Sequence, residues 1–346
     1  MHSHLEQLNF KVAFTCTVID AMHWPDIELP LMYVTGFPVM FDIPDSGVFV
    51  AEELPAKISR ADFVANNTRA VTRITNRVRQ SATNATPQRM EAARECWKKT
   101  KSEIKKGYVF GPSSRAKLDR KYGRGKWRCL PRSAIFQKKK WRCIDNGKFS
   151  DHNKCQPRHE RIVCGRADFP ATAAREFARR MPKIRAVCST ALRSGISKHE
   201  RSYRRWGMRH GTVDLEAAYR RTPTSQPEYT TVAVFDTDAD EVVYAELPGH
   251  NFGLASAVLN FNRGPALFTA AARRLLWVCT EPYYDDSDVS EPDFCGSSGL
   301  DALVAQSAAN SSSGSLLTQN NTNTWTCPRC FSASSRRSHA CTKASS

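Results

Sequence analysis

The tetrapeptide Tyr283-Tyr284-Asp285-Asp286 constrains this chain more than any other stretch. Two adjacent carboxylates follow a short apolar run, Leu275-Leu276-Trp277-Val278-Cys279, which reads as a strand leading into them. A carboxylate pair at a strand end can hold divalent cations against phosphate oxygens. A third acid, Asp214, stands well upstream and directly follows another β-like stretch, Gly211-Thr212-Val213. Three acids on two strand ends are what a two-metal phosphoryl-transfer site requires, with ions ~4 Å apart clamping the attacking and leaving oxygens. Taken alone, four residues of this kind also describe an acidic, solvated loop. The surroundings therefore carry the weight.

Charge narrows the choice of partner. The 346-residue chain has a formal net charge of +17, which points to polyanions. The excess is local: Trp97 to Lys148 holds 18 Lys+Arg against 3 Asp+Glu. Within that run Lys98, Lys99, Lys105, Lys106, Arg124, Lys126 and Arg128 are candidate phosphate contacts. Aromatic residues are interleaved at Trp97, Tyr108, Phe110, Tyr122, Trp127, Phe136 and Trp141, and flat rings can stack on bases. A second basic cluster includes Arg193, Lys198, Arg201, Arg204, Arg205 and Arg209. The alternative for both clusters is a solvated basic surface.

No apolar run approaches the ~20 residues of a membrane span, so no membrane partner is expected. The start, Met1-His2-Ser3-His4-Leu5-Glu6, lacks the charged and apolar regions of a secretory signal. The 12 cysteines form no compact framework, and most of them read as reduced thiols of an intracellular protein, nuclear or cytoplasmic.

A helix is expected from Thr86 as N-cap and Pro87 to about Lys106, ending at Gly107, with Met90, Trp97 and Ile104 on its buried stripe. A short helix follows over Ser114–Lys121. Ser133–Gln137 and Trp141–Asp145 read as a hairpin joined by Lys138-Lys139-Lys140. Residues 168–182 and 186–199 read as two helices, and Glu228–Phe235 with Glu241–Leu247 as a second hairpin. The next helix, about 253–278, is expected to break or kink at Gly264-Pro265 because proline lacks a backbone donor.

At this point four stretches stand in a recognisable order: Trp141-Arg142-Cys143-Ile144-Asp145, Val213-Asp214-Leu215-Glu216-Ala217-Ala218-Tyr219-Arg220, Asn251-Phe252-Gly253-Leu254-Ala255-Ser256-Ala257 and Tyr283-Tyr284-Asp285-Asp286. Over roughly residues 97–290 the chain resembles the fingers and palm of reverse transcriptases, the RNA-directed DNA polymerases of retroelements. The resemblance implies an α+β fold, a right-hand polymerase with an antiparallel palm sheet flanked by helices. It implies catalytic carboxylates Asp214, Asp285 and Asp286, which with the carbonyl of Leu215 would hold two Mg²⁺ or Mn²⁺ ions. Arg142, with Lys138 or Lys140, corresponds to the fingers contacts on the incoming triphosphate. Tyr219 matches the aromatic gate against a ribose 2′-hydroxyl, and Phe252 and Gly253 the loop that lets template and nucleotide approach the backbone. Partners implied are an RNA or DNA template with its primer and deoxynucleoside triphosphates.

The match has departures. Asn146 and Asn251 stand where an acid and a proline are expected, and Glu281-Pro282 precede the tyrosines. After Asp286 the returning strand reads Ser287-Asp288-Val289-Ser290-Glu291-Pro292, far more polar than a core strand. The stretch beyond Asp286 shows no counterpart of a thumb, so a truncated or degenerate copy is expected. The division implied is 1–85 as an N-terminal extension, 86–165 as basic fingers, 166–295 as palm and 296–346 as a disordered Ser/Asn-rich tail. In that tail Cys327, Cys330, His339 and Cys341 could form a tetrahedral Zn²⁺ site, or remain unpaired thiols. A non-catalytic nucleic-acid-binding remnant is the alternative to a polymerase.

Overall fold

Val71, Ile74, Val78 and Ala82 recur at helical spacing in a segment otherwise rich in Arg, Thr and Asn, and they draw it into one amphipathic helix. The computed structural model describes residues 11–83, 86–163, 165, 168–193, 208–215, 217–292, 295–310 and 317–323. The chain falls into two compact units. The first draws on Met1–Val163, Leu215–Phe268 and Ala308–Leu316, the second on Cys164–Asp214, Thr269–Ser307 and Leu317–Ser346.

In chain order the first unit contains helices α1 (Val12–Met22) and α2 (Leu29–Thr35), strand β1 (Val50–Leu54), and helices α3 (Arg60–Ala65), α4 (Asn67–Thr83) and α5 (Pro87–Lys105). Strand β2 (Phe110–Ser113), helix α6 (Arg115–Tyr122), and strands β3 (Leu130–Gln137), β4 (Lys140–Asp145) and β5 (Arg158–Arg161) follow. Strands β7 (Val232–Asp236) and β8 (Glu241–Glu246) complete a five-stranded sheet of order β2-β8-β7-β3-β4. The pair β3–β7 is parallel and the others are antiparallel. Strand β7 is buried along its whole length, which suits its central place and its Val-Ala-Val-Phe sequence. Helices α4 and α5 pack on this sheet. Val71, Ile74 and Val78 of α4 join Trp127, Ala233, Phe235 and Tyr244 in one core cluster; Trp97 of α5 joins Val234 and Val243 in another.

Strand β6 (Met208–Leu215) enters a second sheet with β9 (Thr280–Tyr283), β10 (Asp286–Pro292) and β11 (Leu317–Asn323), in the order β11-β6-β10-β9. Strand β10 is antiparallel to both neighbours. Helix α7 (Phe169–Arg193) packs against β10. Helix α8 (Ala255–Leu275) precedes β9, and helix α9 (Ser298–Asn310) follows β10. Leu300 and Leu303 of α9 close a core with Val213, Ala272, Val278 and Val289.

The mixed α+β architecture agrees with expectation, and so do both hairpins and the two helices over 87–122. Other expectations need correction. Residues 1–85 are no separate extension, because α4 fills the core of the first unit. The expected palm segment 166–295 is divided between the units, since Leu215–Phe268 belongs to the first. Residues 298–310 form a helix rather than a disordered tail, because Leu300 and Leu303 have an apolar core to enter. Pro265 does not break α8, which runs unbroken: one missing donor costs less than the burial of Phe261 and Leu267 on either side of it recovers. The expected helix break after residue 182 is likewise absent, as α7 continues through Pro182 to Arg193. The apolar run 275–279 is no strand: Leu275 ends α8, Trp277 takes a left-handed φ of 57° and is 89% exposed, and β9 begins at Thr280. On α5 the inward stripe is Cys96, Trp97, Thr100 and Glu103, which leaves Met90 43% exposed.

Candidate carboxylate site

The β9–β10 hairpin places the two adjacent acids differently. Tyr283 and Asp286 are cross-strand partners, so Tyr284 and Asp285 form a two-residue turn, with Tyr284 left-handed at φ 55°. The rings of Tyr283 and Tyr284 meet edge to face at 5.3 Å. Asp286 opens β10, and its partner on the other side is Asp214 of β6. Directly opposed residues of antiparallel strands present side chains to one face, Cβ atoms about 5 Å apart. Side chains alternate along a strand, so Asp288 and its partner Glu281 share that face, while Val213 and Val289 turn to the opposite one and its apolar core.

Like charges directly opposed on a sheet are destabilising. Accordingly, partial burial together with the nearby Asp285, Asp214 and Asp288 carboxylates pushes the Asp286 carboxyl above its usual range. Glu281 pairs with Arg273. The His210 ring lies 3.1 Å from Ser290 Oγ through Nδ1 and 3.5 Å from Asp288 Oδ1 through Nε2. A set of hard carboxylate oxygens suits Mg²⁺ or Mn²⁺. Among the described residues, no group of three or more His, Cys, Asp or Glu side chains is arranged to hold a metal ion. The arrangement is an opposed pair with a third acid in the adjoining turn; Leu215 directly follows Asp214 at the end of β6.

The residues expected to contact nucleotide lie in the first unit. Lys138 and Lys139 make the two-residue turn of the β3–β4 hairpin, both left-handed, at φ 49° and 62°. Lys140 begins β4, Arg142 stands opposite Ile135, and Lys138, Lys140 and Arg142 are all exposed. The half-buried Tyr219 ring lies 4.8 Å from the ring of Phe252 and 5.0 Å from that of Phe261. Gly253 has φ 114°, and a Cβ there would collide with the Asp145 carbonyl oxygen. The glycine is thus required by protein backbone alone, whatever else approaches it.

Beneath this loop lies a buried charge network that sequence reasoning missed. Asp145, wholly buried, accepts from Arg132 Nε at 2.7 Å, Arg220 Nη2 at 3.3 Å and Asn251 Nδ2 at 3.2 Å. Arg132 Nη1 also donates to Glu103 at 2.8 Å, and Arg220 Nη1 to the His250 carbonyl at 2.7 Å. Burial alone would raise the Asp145 carboxyl, but Arg132, Arg220 and the Asn251 amide hold it below the usual carboxylate range. His250 and His152, both fully buried, are driven down to about 3 by desolvation and remain neutral. The only sequence signals were Asp145, Arg220 and Asn251 standing inside three of the quoted motifs.

Of the expected phosphate contacts, Lys98, Lys99, Lys105, Lys106, Arg124 and Lys126 are exposed. Arg128 is not one of them. It is 2% exposed and donates to Asn67 Oδ1, the Ser150 carbonyl and the Phe63 carbonyl, with its guanidinium 3.5 Å from the Phe63 ring centroid. Desolvation pulls its pKa down to about 10. Trp97 and Trp127 are buried as well, their indole N–H groups donating to Asp238 and Asp119, so neither can stack on a base. Lys198, Arg201, Arg204 and Arg205 lie outside the described residues, as do Cys327, Cys330, His339 and Cys341 of the expected zinc site. The described cysteines 16, 96, 129, 143, 155, 279 and 295 are free thiols. No described helix is long and apolar enough to cross a membrane. No family model matches the chain, and no curated protein matches its sequence.

Proposed function

We propose that the chain is a reverse-transcriptase-like nucleotidyl transferase, adding deoxynucleotides to a primer 3′-hydroxyl on an RNA or DNA template. One observation carries this reading: Asp214, remote in sequence, is the cross-strand partner of Asp286, with Asp285 in the adjoining turn. Asp214, Asp285 and Asp286, with the Leu215 carbonyl, would hold two Mg²⁺ or Mn²⁺ ions. When bound, such ions lower the pKa of the attacking hydroxyl and neutralise the pyrophosphate leaving group. Arg142 offers a planar fork to phosphate oxygens, with the exposed Lys138 and Lys140 adding charge beside it. The Tyr219 ring, wedged between Phe252 and Phe261, is a rigid wall of the kind that leaves no room for a 2′-hydroxyl.

Single-nucleotide extension of a primer–template by the purified chain tests the proposal. Extension should require Mg²⁺ or Mn²⁺ and be lost in Asp286→Asn and Asp214→Asn, since an amide keeps the size and loses the charge. Tyr219→Ala should admit ribonucleotides. Extension that survives Asp286→Asn would overturn the assignment.

A second reading, a non-catalytic nucleic-acid binder, is favoured by the exposed Lys98, Lys99, Lys105 and Lys106 along and just past one helix. It expects salt-sensitive binding without extension, and a salt slope shallower by ~1 when Lys98 becomes alanine.

A further inference from the structure

Helices α4 and α5 and the sheet beneath them line a half-open cavity of about 300 Å³ that plays no part in the site described above. Its apolar lining comes from Val78 and Ala82 of α4, Ala93 of α5, Ala134 of β3, and Val234 and Phe235 of β7. Two arginines also line it, one from each helix: Arg77 and Arg89. Both are exposed, and among the described residues neither guanidinium meets a carboxylate. A third lining arginine, Arg132, is already neutralised by Asp145 and Glu103. Among the described residues no Asp or Glu lines the cavity. Ser81, Ser133 and Asn146 interrupt the apolar lining, and a mixed wall of this kind bordered by two guanidinium forks without carboxylate partners suits a ligand with a flat, partly polar ring body and a compact, multiply charged oxyanion.

We propose that this cavity binds a small aromatic phosphate monoester of about nucleoside monophosphate size. Phosphate is favoured over carboxylate because a guanidinium from each helix can use its three non-bridging oxygens and its second charge. The volume lies at the lower end of ligand sites, so a dinucleotide or a nucleoside triphosphate is too large to be enclosed. None of Lys138, Lys140, Arg142, Tyr219, Phe252 or Gly253 lines the cavity, so the site is independent of the proposed catalytic one.

The test is calorimetric titration of the full chain with adenosine monophosphate, and with adenosine and inorganic phosphate separately. The monophosphate should bind at least about tenfold more tightly than either fragment, a ratio that one good charge-assisted contact supplies. Arg77→Ala with Arg89→Ala should abolish that advantage, and Arg77→Lys should weaken binding while keeping the charge. Both arginines are exposed helix residues, and alanine is the best helix former, so these variants fold. Ala93→Leu, which fills the cavity, should exclude the ligand, whereas Asp286→Asn should leave affinity unchanged. Equal affinity in the double arginine variant, a loss of binding in Asp286→Asn, or the absence of saturable binding by adenosine monophosphate would each overturn the proposal.

Discussion

The two units handle their carboxylates in opposite ways. In the first, Asp145 is wholly buried and is held by Arg132, Arg220 and Asn251, with Glu103 sharing the same arginine. In the second, Asp214 and Asp286 face one another with Asp285 and Asp288 nearby, and burial and these charges raise the Asp286 carboxyl rather than lower it. Acids that serve stability are matched to cations inside the protein. An acid that its own neighbours push above the usual range is one that a cation from solution would relieve. That contrast separates Asp145 from Asp286 although both stand at strand ends and within quoted motifs.

The contrast breaks most sharply at Asp145. Asp145→Ala should cost about 3–5 kcal/mol of unfolding free energy, because two buried guanidinium groups are left to share the single carboxylate of Glu103. Urea unfolding measures it, and a change under about 1 kcal/mol would mean that the network is solvated. Next in size is Arg128→Ala, which strips donors from two buried carbonyls and Asn67; about 2–3 kcal/mol is expected in the same assay. Gly253→Ala should cost roughly 2 kcal/mol, since it adds a left-handed strain to a collision with the Asp145 carbonyl.

The smallest effect sharpens the comparison through pH. Asp286 has a raised pKa in the folded state, so its folded form binds more protons than the unfolded chain. In chelator-containing buffer its contribution is therefore most favourable below the ordinary carboxylate pKa and is lost as pH rises through the raised value. Asp145 has the opposite sign: its stabilisation is present above the ordinary pKa and fades as pH falls through the lowered one. His152 and His250 act in the same direction as Asp145, because the unfolded imidazoles take up protons below about 6.5 and the buried ones resist until about 3. Protection of peptides spanning 280–292 against hydrogen exchange, corrected for the intrinsic rate, should thus rise on mild acidification and lose that dependence in Asp286→Asn. Peptides spanning 130–145 should show the reverse trend.

What was legible in the sequence was local. The β3–β4 hairpin announced itself through alternating residues around a lysine turn, and Asp214 and Asp286 through a four-residue motif and a short apolar stretch. Charge counting failed at Arg128 because a guanidinium that caps three buried acceptors looks identical, in a sequence, to one facing solvent. The Arg132–Asp145–Arg220 network was invisible because its members lie 13 and 75 residues apart and carry no shared pattern. The run Leu275–Cys279 misled because apolar content alone does not distinguish a helix end and its exit from a strand. In α4 the helical period of Val71, Ile74 and Val78 was present throughout, but it is thinly spread among Arg, Thr and Asn, which lower the mean hydropathy of the segment and mask its apolar stripe.

The second arginine on Asp145 has a consequence for how the protein is made. Glu103, Arg132 and Asp145 leave the ribosome well before Arg220, which follows Asp145 by 75 residues. At ordinary elongation speeds of about 5–20 residues per second, the nascent β3–β4 hairpin waits roughly 4–15 s with two acids set against one cation. Its partner β7 emerges later still, so the hairpin spends that interval as an unfinished sheet edge. Synthesis rate between residues 145 and 236, and any chaperone that shields the nascent edge meanwhile, should therefore govern how much of the chain reaches its folded form.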